Sequence, residues 1–131
     1  MGEKKKGKKT SKRFREPKEL EAFHYLHSHQ INLFHDAIAG KAMVDFSGTS
    51  LRGVDLRRVD IRRVNIKGAY MRGADVRGVD LRHHDLEGTS LHDALISGAY
   101  FPNNVSPQEI TMSVELGTRL RTNGPLIPPE L

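Results

Sequence analysis

Cations recur in this chain at a fixed interval. Arg52, Arg57, Arg62, Lys67, Arg72, Arg77 and Arg82 stand five residues apart, with Arg58 and Arg63 beside two of them. Acids keep the same step at Asp45, Asp55, Asp60, Asp75, Asp80 and Asp85. A guanidinium group grips carboxylates and phosphates through paired N–H donors, so a row of them suits an anionic partner. The row of acids offers the opposite outcome, in which the two rows neutralise one another as surface ion pairs of small value. Over residues 44–103 nine Lys/Arg meet eight Asp/Glu, a net charge of +1.

Other reactive types are weaker signals. Of seven His, four cluster as His24, His27, His29 and His35, and His83 adjoins His84. His24 and His27 lie one helical turn apart, which permits two ligands, but the acids near them form no metal motif. No metal and no cofactor is expected. No nucleophile stands with a base at motif spacing, and neither a phosphate-cradling P-loop nor a GxGxxG motif is present. The Asp residues recur because the sequence repeats, which argues against singling one out as catalytic. The chain is therefore expected not to be an enzyme. Cys is absent, which excludes a disulfide, a thiolate zinc site and a cysteine nucleophile.

The element that must position the cations is the repeat itself. In fives from Val44 the chain reads VDFSG TSLRG VDLRR VDIRR VNIKG AYMRG ADVRG VDLRH HDLEG TSLHD ALISG AYFPN. Position three is apolar in all twelve repeats, from Phe46 through Ile66 to Phe101. Position one is small or β-branched in eleven, with His84 the exception. Neither a helix nor a flat strand buries every fifth residue. A coil that turns a corner every five residues does, with positions one and three inward and the rest outward. Gly at position five suits a corner that strains other residues. By register His84 points inward, and a neutral, hydrogen-bonded core histidine is expected there.

This pattern resembles the pentapeptide-repeat family, whose consensus is Ala-(Asp/Asn)-Leu-x-x; the likeness covers residues 44–103. The resemblance implies a mainly β fold: a right-handed quadrilateral β-helix, four repeats to a coil and about three coils long. Stacking by twenty residues then gives outward columns. Position two reads Asp45/Asn65/Asp85, Ser50/Tyr70/Ser90, Asp55/Asp75/Leu95 and Asp60/Asp80/Tyr100. Position four pairs Arg52 with Arg72 and His92, Arg57 with Arg77, and Arg62 with Arg82. The echo Gly-Thr-Ser-Leu at 48–51 and 88–91 falls two coils apart on one face.

The flanks differ from the repeats. Residues 1–15 form a basic arm, expected to be disordered. Residues 1–18 carry +7, whereas residues 19–131 sum to −2. Residues 16–43 are expected to be an N-terminal helical cap of one or two short helices, broken near Ser28–Gln30. Pro17 suits the first helical position, and Leu20, Phe23, Leu26 and His27 the apolar face. In residues 104–131, Ser106-Pro107-Gln108-Glu109 is a capping-box signature that predicts a helix over 107–116, followed by an extended tail. Both helical segments stand where the open ends of a short coil need covering. No apolar stretch is long enough to span a bilayer, no signal core is seen, and Lys6 disfavours myristoylation, so the cytoplasm is the default location.

Taken together, the residues point to a non-enzymatic scaffold that presents a rigid charged surface to a protein partner. The face with Arg52, Arg72, Tyr70 and His92 lacks position-two acids and is the first interaction candidate. Arg57, Arg77, Arg62 and Arg82 extend the cationic strip. Leu95 and Tyr100 are apolar where polar residues are usual; either the C-terminal segment covers them or they form an interface. The family also implies end-to-end homodimers. A second reading has the arm bind nucleic acid, a ribosome or another anionic surface. Gyrase inhibition by DNA mimicry, known in some members, calls for a long acidic rod, and this repeat segment is short and near neutral.

Overall fold

Backbone pairing in the repeats joins residues twenty apart. The computed structural model describes Phe14 and residues 16–130. Two strands, β1 (Val44–Asp45) and β2 (Val64–Asn65), pair in parallel, with Val44 opposite Val64. The same offset continues as single parallel bridges between Ser50 and Tyr70, Tyr70 and Ser90, Asp55 and Asp75, Asp75 and Leu95, and Asp80 and Tyr100. The N–H groups of positions three and five donate to the next coil, as from Leu51 to Tyr70 at 2.7 Å and Gly53 to Arg72 at 2.9 Å. Position two donates back, as from Tyr70 to Thr49 at 2.9 Å.

The expectation of a mainly β chain needs correction. Among the described residues the strands hold two residues each, while the helices α1 (Pro17–His27), α2 (Ile31–Ala37) and α3 (Pro107–Leu116) hold 11, 7 and 10. The physical reason is the period. A corner every five residues leaves one or two residues on each side to pair before the chain turns. The corners close by bonds three residues apart, such as Thr49 N–H to the Phe46 carbonyl at 3.2 Å. Gly48 has φ +70 there, a left-handed conformation that a Cβ disfavours.

Inside the coil, eleven of twelve position-one residues and ten of twelve position-three residues are buried. The exceptions, Ile96, Ala99 and Phe101, all lie in the last coil and are only partly buried. Burying each Leu or Ile is worth about 1.5–3 kcal/mol. His84 is buried as its register requires, but its Nε2 atom has no hydrogen-bond partner. Burial, followed by the charge of His83, pushes its pKa below the ordinary 6.5, and a hydrogen bond with the Ile61 backbone opposes that shift. The residue is thus held neutral but only half satisfied.

The N-terminal end is covered by α1 and α2, which the chain separates at His29, in a left-handed conformation with φ +61. The buried face of α1 is Ala22, Phe23 and Leu26; Leu20 points outward. Phe23 and Phe34 meet the first central residue, Phe46, with ring centroids 5.5 and 6.4 Å away. The basic arm lies outside the described residues except for Phe14, which packs against Phe23 at 5.1 Å and Phe46 at 5.8 Å. His27 ties this cap to the coil. Its Nδ1 lies 2.8 Å from the Phe23 carbonyl and its Nε2 2.8 Å from that of Ser50. A neutral imidazole donates to one of these; the imidazolium donates to both.

The C-terminal end is covered by α3 and the segment after it. Ser106 caps α3 by accepting from the Glu109 N–H at 3.2 Å. The reciprocal half of the capping box is not made, because the Glu109 carboxylate is taken by the Arg121 guanidinium, at 2.6 Å. That contact holds Glu109 below the usual carboxylate range. Gly117 ends the helix with φ +78, and the chain then runs back along the last coil. Arg119 bridges Ser90 antiparallel, Gly88 donates to Leu120 at 2.8 Å, and Leu120 donates to Thr89 at 2.8 Å. Among the described residues no helix is long and apolar enough to cross a membrane.

Candidate functional site

The twenty-residue register fixes which outward residues share a column, and the columns differ in chemistry. Where position two is Asp or Asn, Asp60 excepted, its carboxylate or amide oxygen accepts the N–H of position four in the same repeat. This holds for Asp45, Asp55, Asn65, Asp75, Asp80 and Asp85, with distances of 3.0–3.2 Å. Where position four is also Arg, the guanidinium closes on the same carboxylate. Arg57 grips Asp55 at 3.0 and 2.9 Å, Arg77 grips Asp75 at 2.9 and 2.7 Å, and Arg82 grips Asp80 at 2.9 and 2.9 Å. Arg57 also reaches Asp75 in the next coil at 3.2 Å. The Arg57 guanidinium holds the Asp55 carboxyl at about 2, against an ordinary 3.8. Arg77 and Arg82 lower Asp75 and Asp80 likewise.

The column Ser50/Tyr70/Ser90 has no such carboxylate. Among the described residues the backbone N–H groups of Arg52, Arg72 and His92 have no hydrogen-bond partner. The Arg52 guanidinium is also unpaired there, and Arg72 reaches Asp93 only at 3.9 Å. These side chains line a cleft of about 280 Å³ with Ser50, Tyr70, Ser90, His92 and Gly117. The returning segment adds Arg119, whose guanidinium lies 4.6 Å above the Tyr70 ring. Gly117 is required at this wall, since a Cβ there would stand 3.1 Å from the His92 ring.

The structure therefore brings together Arg52, Arg72, Tyr70 and His92, and it separates the other candidates from them. Arg57, Arg77 and Arg82 are committed to acids. Arg62 lies elsewhere, lining a hollow with Met43, His83, His84 and Pro128. Leu95 and Tyr100 sit on the last coil, 48% and 57% exposed, so the C-terminal segment does not cover them. It turns back over residues 87–93 instead, drawn by the open N–H of Gly88 and by Glu87, which accepts from Thr122 at 2.9 and 2.7 Å. Arg82 lies 5.2 Å over the Tyr100 ring. Sequence reasoning missed Arg119 and Gly117, because the aperiodic tail gives no sign of where it lies. It also missed the Asp-x-Arg clamp within single repeats, although that spacing is visible four times, at Asp55, Asp60, Asp75 and Asp80, and closes at all but Asp60. Among the described residues no group of three or more His, Asp or Glu is placed to hold a metal ion, and the four N-terminal His do not converge.

Comparison with curated proteins and with solved structures gave no match. The family model of pentapeptide repeats matches residues 44–78 and 69–103, in eight copies. Residues 44–103 are therefore pentapeptide repeats, of a family whose repeats imply a β-helix and suggest a structural or interaction module.

Proposed function

We propose that the chain is a non-enzymatic interaction module in which a right-handed β-helix of square section holds the Arg52–Arg72–Arg119 cleft toward an acidic segment of a protein partner. One observation carries this reading. In the Asp55, Asp75 and Asp80 repeats an intrinsic carboxylate fills the receptor formed by the position-four N–H and guanidinium. At Arg52 and Arg72 that receptor has no carboxylate of its own. An Asp or Glu side chain from outside fits the same donors, and two receptors one coil apart are spaced by about 4.8 Å. Tyr70 and Arg119 offer a ring and a third cation between them.

Exposed ion pairs contribute roughly 0–1 kcal/mol each, so a single carboxylate is held weakly and the partner must present several. The test is titration of a poly-glutamate peptide against the full chain, followed by amide shifts. Saturable shifts at Arg52, Arg72 and His92, lost in Arg52→Ala/Arg72→Ala and retained in Arg57→Ala/Arg77→Ala, are expected. Equal loss in both double variants would reduce the cleft to one part of a diffuse charge. The basic arm supports a second reading by its charge alone: nucleic-acid binding that falls steeply with salt and disappears when residues 1–13 are removed.

A further inference from the structure

The C-terminal edge of the stack is closed along one stretch and open along another. From Gly88 to Asp93 the N–H groups of positions three and five have each found an acceptor. Gly88 donates to the Leu120 carbonyl at 2.8 Å, Leu91 to the Ser113 hydroxyl at 2.8 Å and Asp93 to the Val114 carbonyl at 2.9 Å. The next donors in the same series are the N–H groups of Ile96, Gly98 and Phe101. One coil below, their counterparts Val76, Gly78 and Leu81 donate to the carbonyls of Leu95, Ser97 and Tyr100 at 2.8–3.0 Å. Ile96, Gly98 and Phe101 have no such partner among the described residues.

Apolar surface coincides with these three donors. Ile96, Ala99 and Phe101 are the only inward repeat positions left partly open, and Leu95 and Tyr100 flank them on the outside. Leu116 at the end of α3 is 70% exposed. Unpaired strand donors beside apolar side chains invite an added strand.

We propose that the Leu95–Phe101 edge takes an apolar segment of a partner protein, laid on the last coil and turning with it at the Gly98 corner. The donors specify the occupant: carbonyls spaced as those of Leu95, Ser97 and Tyr100 are for the coil below, with small or apolar side chains against Ile96, Ala99 and Phe101. The molecule already uses this solution next door. Its own residues 117–120 lie antiparallel on 88–90 of the same edge, and α3 takes the donors of Leu91 and Asp93, so the added segment continues an interface that exists. A single strand needs about 4.8 Å of height above the coil. A second copy stacked end to end meets α3 first, because that helix stands on the same edge and is about 10–12 Å across.

The probe is a synthetic peptide with the sequence of residues 94–103, whose carbonyls at 95, 97 and 100 already meet the equivalent donors one coil below, added to the isotopically labelled full chain. Hydrogen exchange at Ile96, Gly98 and Phe101 slows about tenfold or more, with one-to-one saturation, while Gly88 and Asp93 do not change. Leu95→Ser/Tyr100→Ser weakens binding by about tenfold. It leaves the melting curve in place, since Ser50 and Ser90 already occupy that repeat position. Two outcomes overturn the proposal. Either the three amides stay unprotected at millimolar peptide, or the chain alone sediments as a dimer with them already protected, which gives the edge to a second copy.

Discussion

Two neighbouring sides of the coils differ in chemistry chiefly at position two. The Asp55/Asp75 side and the Ser50/Tyr70/Ser90 side both bury positions one and three in the first two coils and carry Arg at position four there. On the first, each Arg is folded onto the carboxylate two residues before it, with the backbone N–H satisfied by the same group. On the second, Ser or Tyr replaces the acid, and the Arg and the N–H are left to the surroundings. Charge counting treats the two alike. What separates them is whether the cation has a partner within its own repeat, which divides a structural clamp from a cation left open.

The comparison rests on the register, and the largest expected effect tests that. Ile66 is 1% exposed, and Ile66→Asp places an unpaired charge in the core at a cost of about 3–5 kcal/mol, so the coil unfolds in a thermal melt. Lys67→Asp, one residue later and outward, loses a 3.3 Å contact with Asp85 and costs under about 1 kcal/mol. Similar melts for the two variants would break the inside–outside assignment.

Installing the missing acids sharpens the contrast next. In Ser50→Asp/Tyr70→Asp the open side gains the clamp of its neighbour. Poly-glutamate binding then falls by about tenfold, and the new carboxyl groups titrate below the usual range, as Asp55 does at about 2. Undiminished binding would show that the carboxylate vacancy is not what matters.

His84 gives a smaller, pH-dependent effect. Its folded pKa is depressed, so the unfolded chain binds more protons as pH falls below 6.5. Stability from this residue is complete above its unfolded pKa and is lost as pH falls toward the depressed one. His84→Val matches Val44 and Val64 in the same column, and it raises the melting temperature more at pH 5.5 than at pH 7.5. The smallest effect belongs to Asp75→Asn, which removes the clamp on Arg77 and the contact with Arg57 on an exposed side, for about 0.5–1 kcal/mol.

The columns were legible in the sequence because a coil of fixed period has one free parameter. Once the period is five and the stack twenty, Arg52, Arg72, Tyr70 and His92 must be neighbours. The ends were less legible. Phe14 reads as part of a charged arm, yet an aromatic cluster on Phe46 claims it. Glu109 reads as half of a capping box, but Arg121 outcompetes a backbone N–H for its carboxylate. Leu95 and Tyr100 read as apolar residues awaiting a cover. The tail that could have supplied it is held over Glu87 and Thr89, which no local pattern reveals.

The pairing of each coil with the one twenty residues before it also matches the order of synthesis. A chain emerging from the ribosome can lay down its second coil on the first while the third is still unmade, since every bond looks backward to residues already present. The last coil breaks that order. Gly88, Leu91 and Asp93 wait for residues 113–120, so until those arrive the growing chain carries an edge along its whole newest side, and the folded molecule keeps part of that edge at Ile96, Gly98 and Phe101.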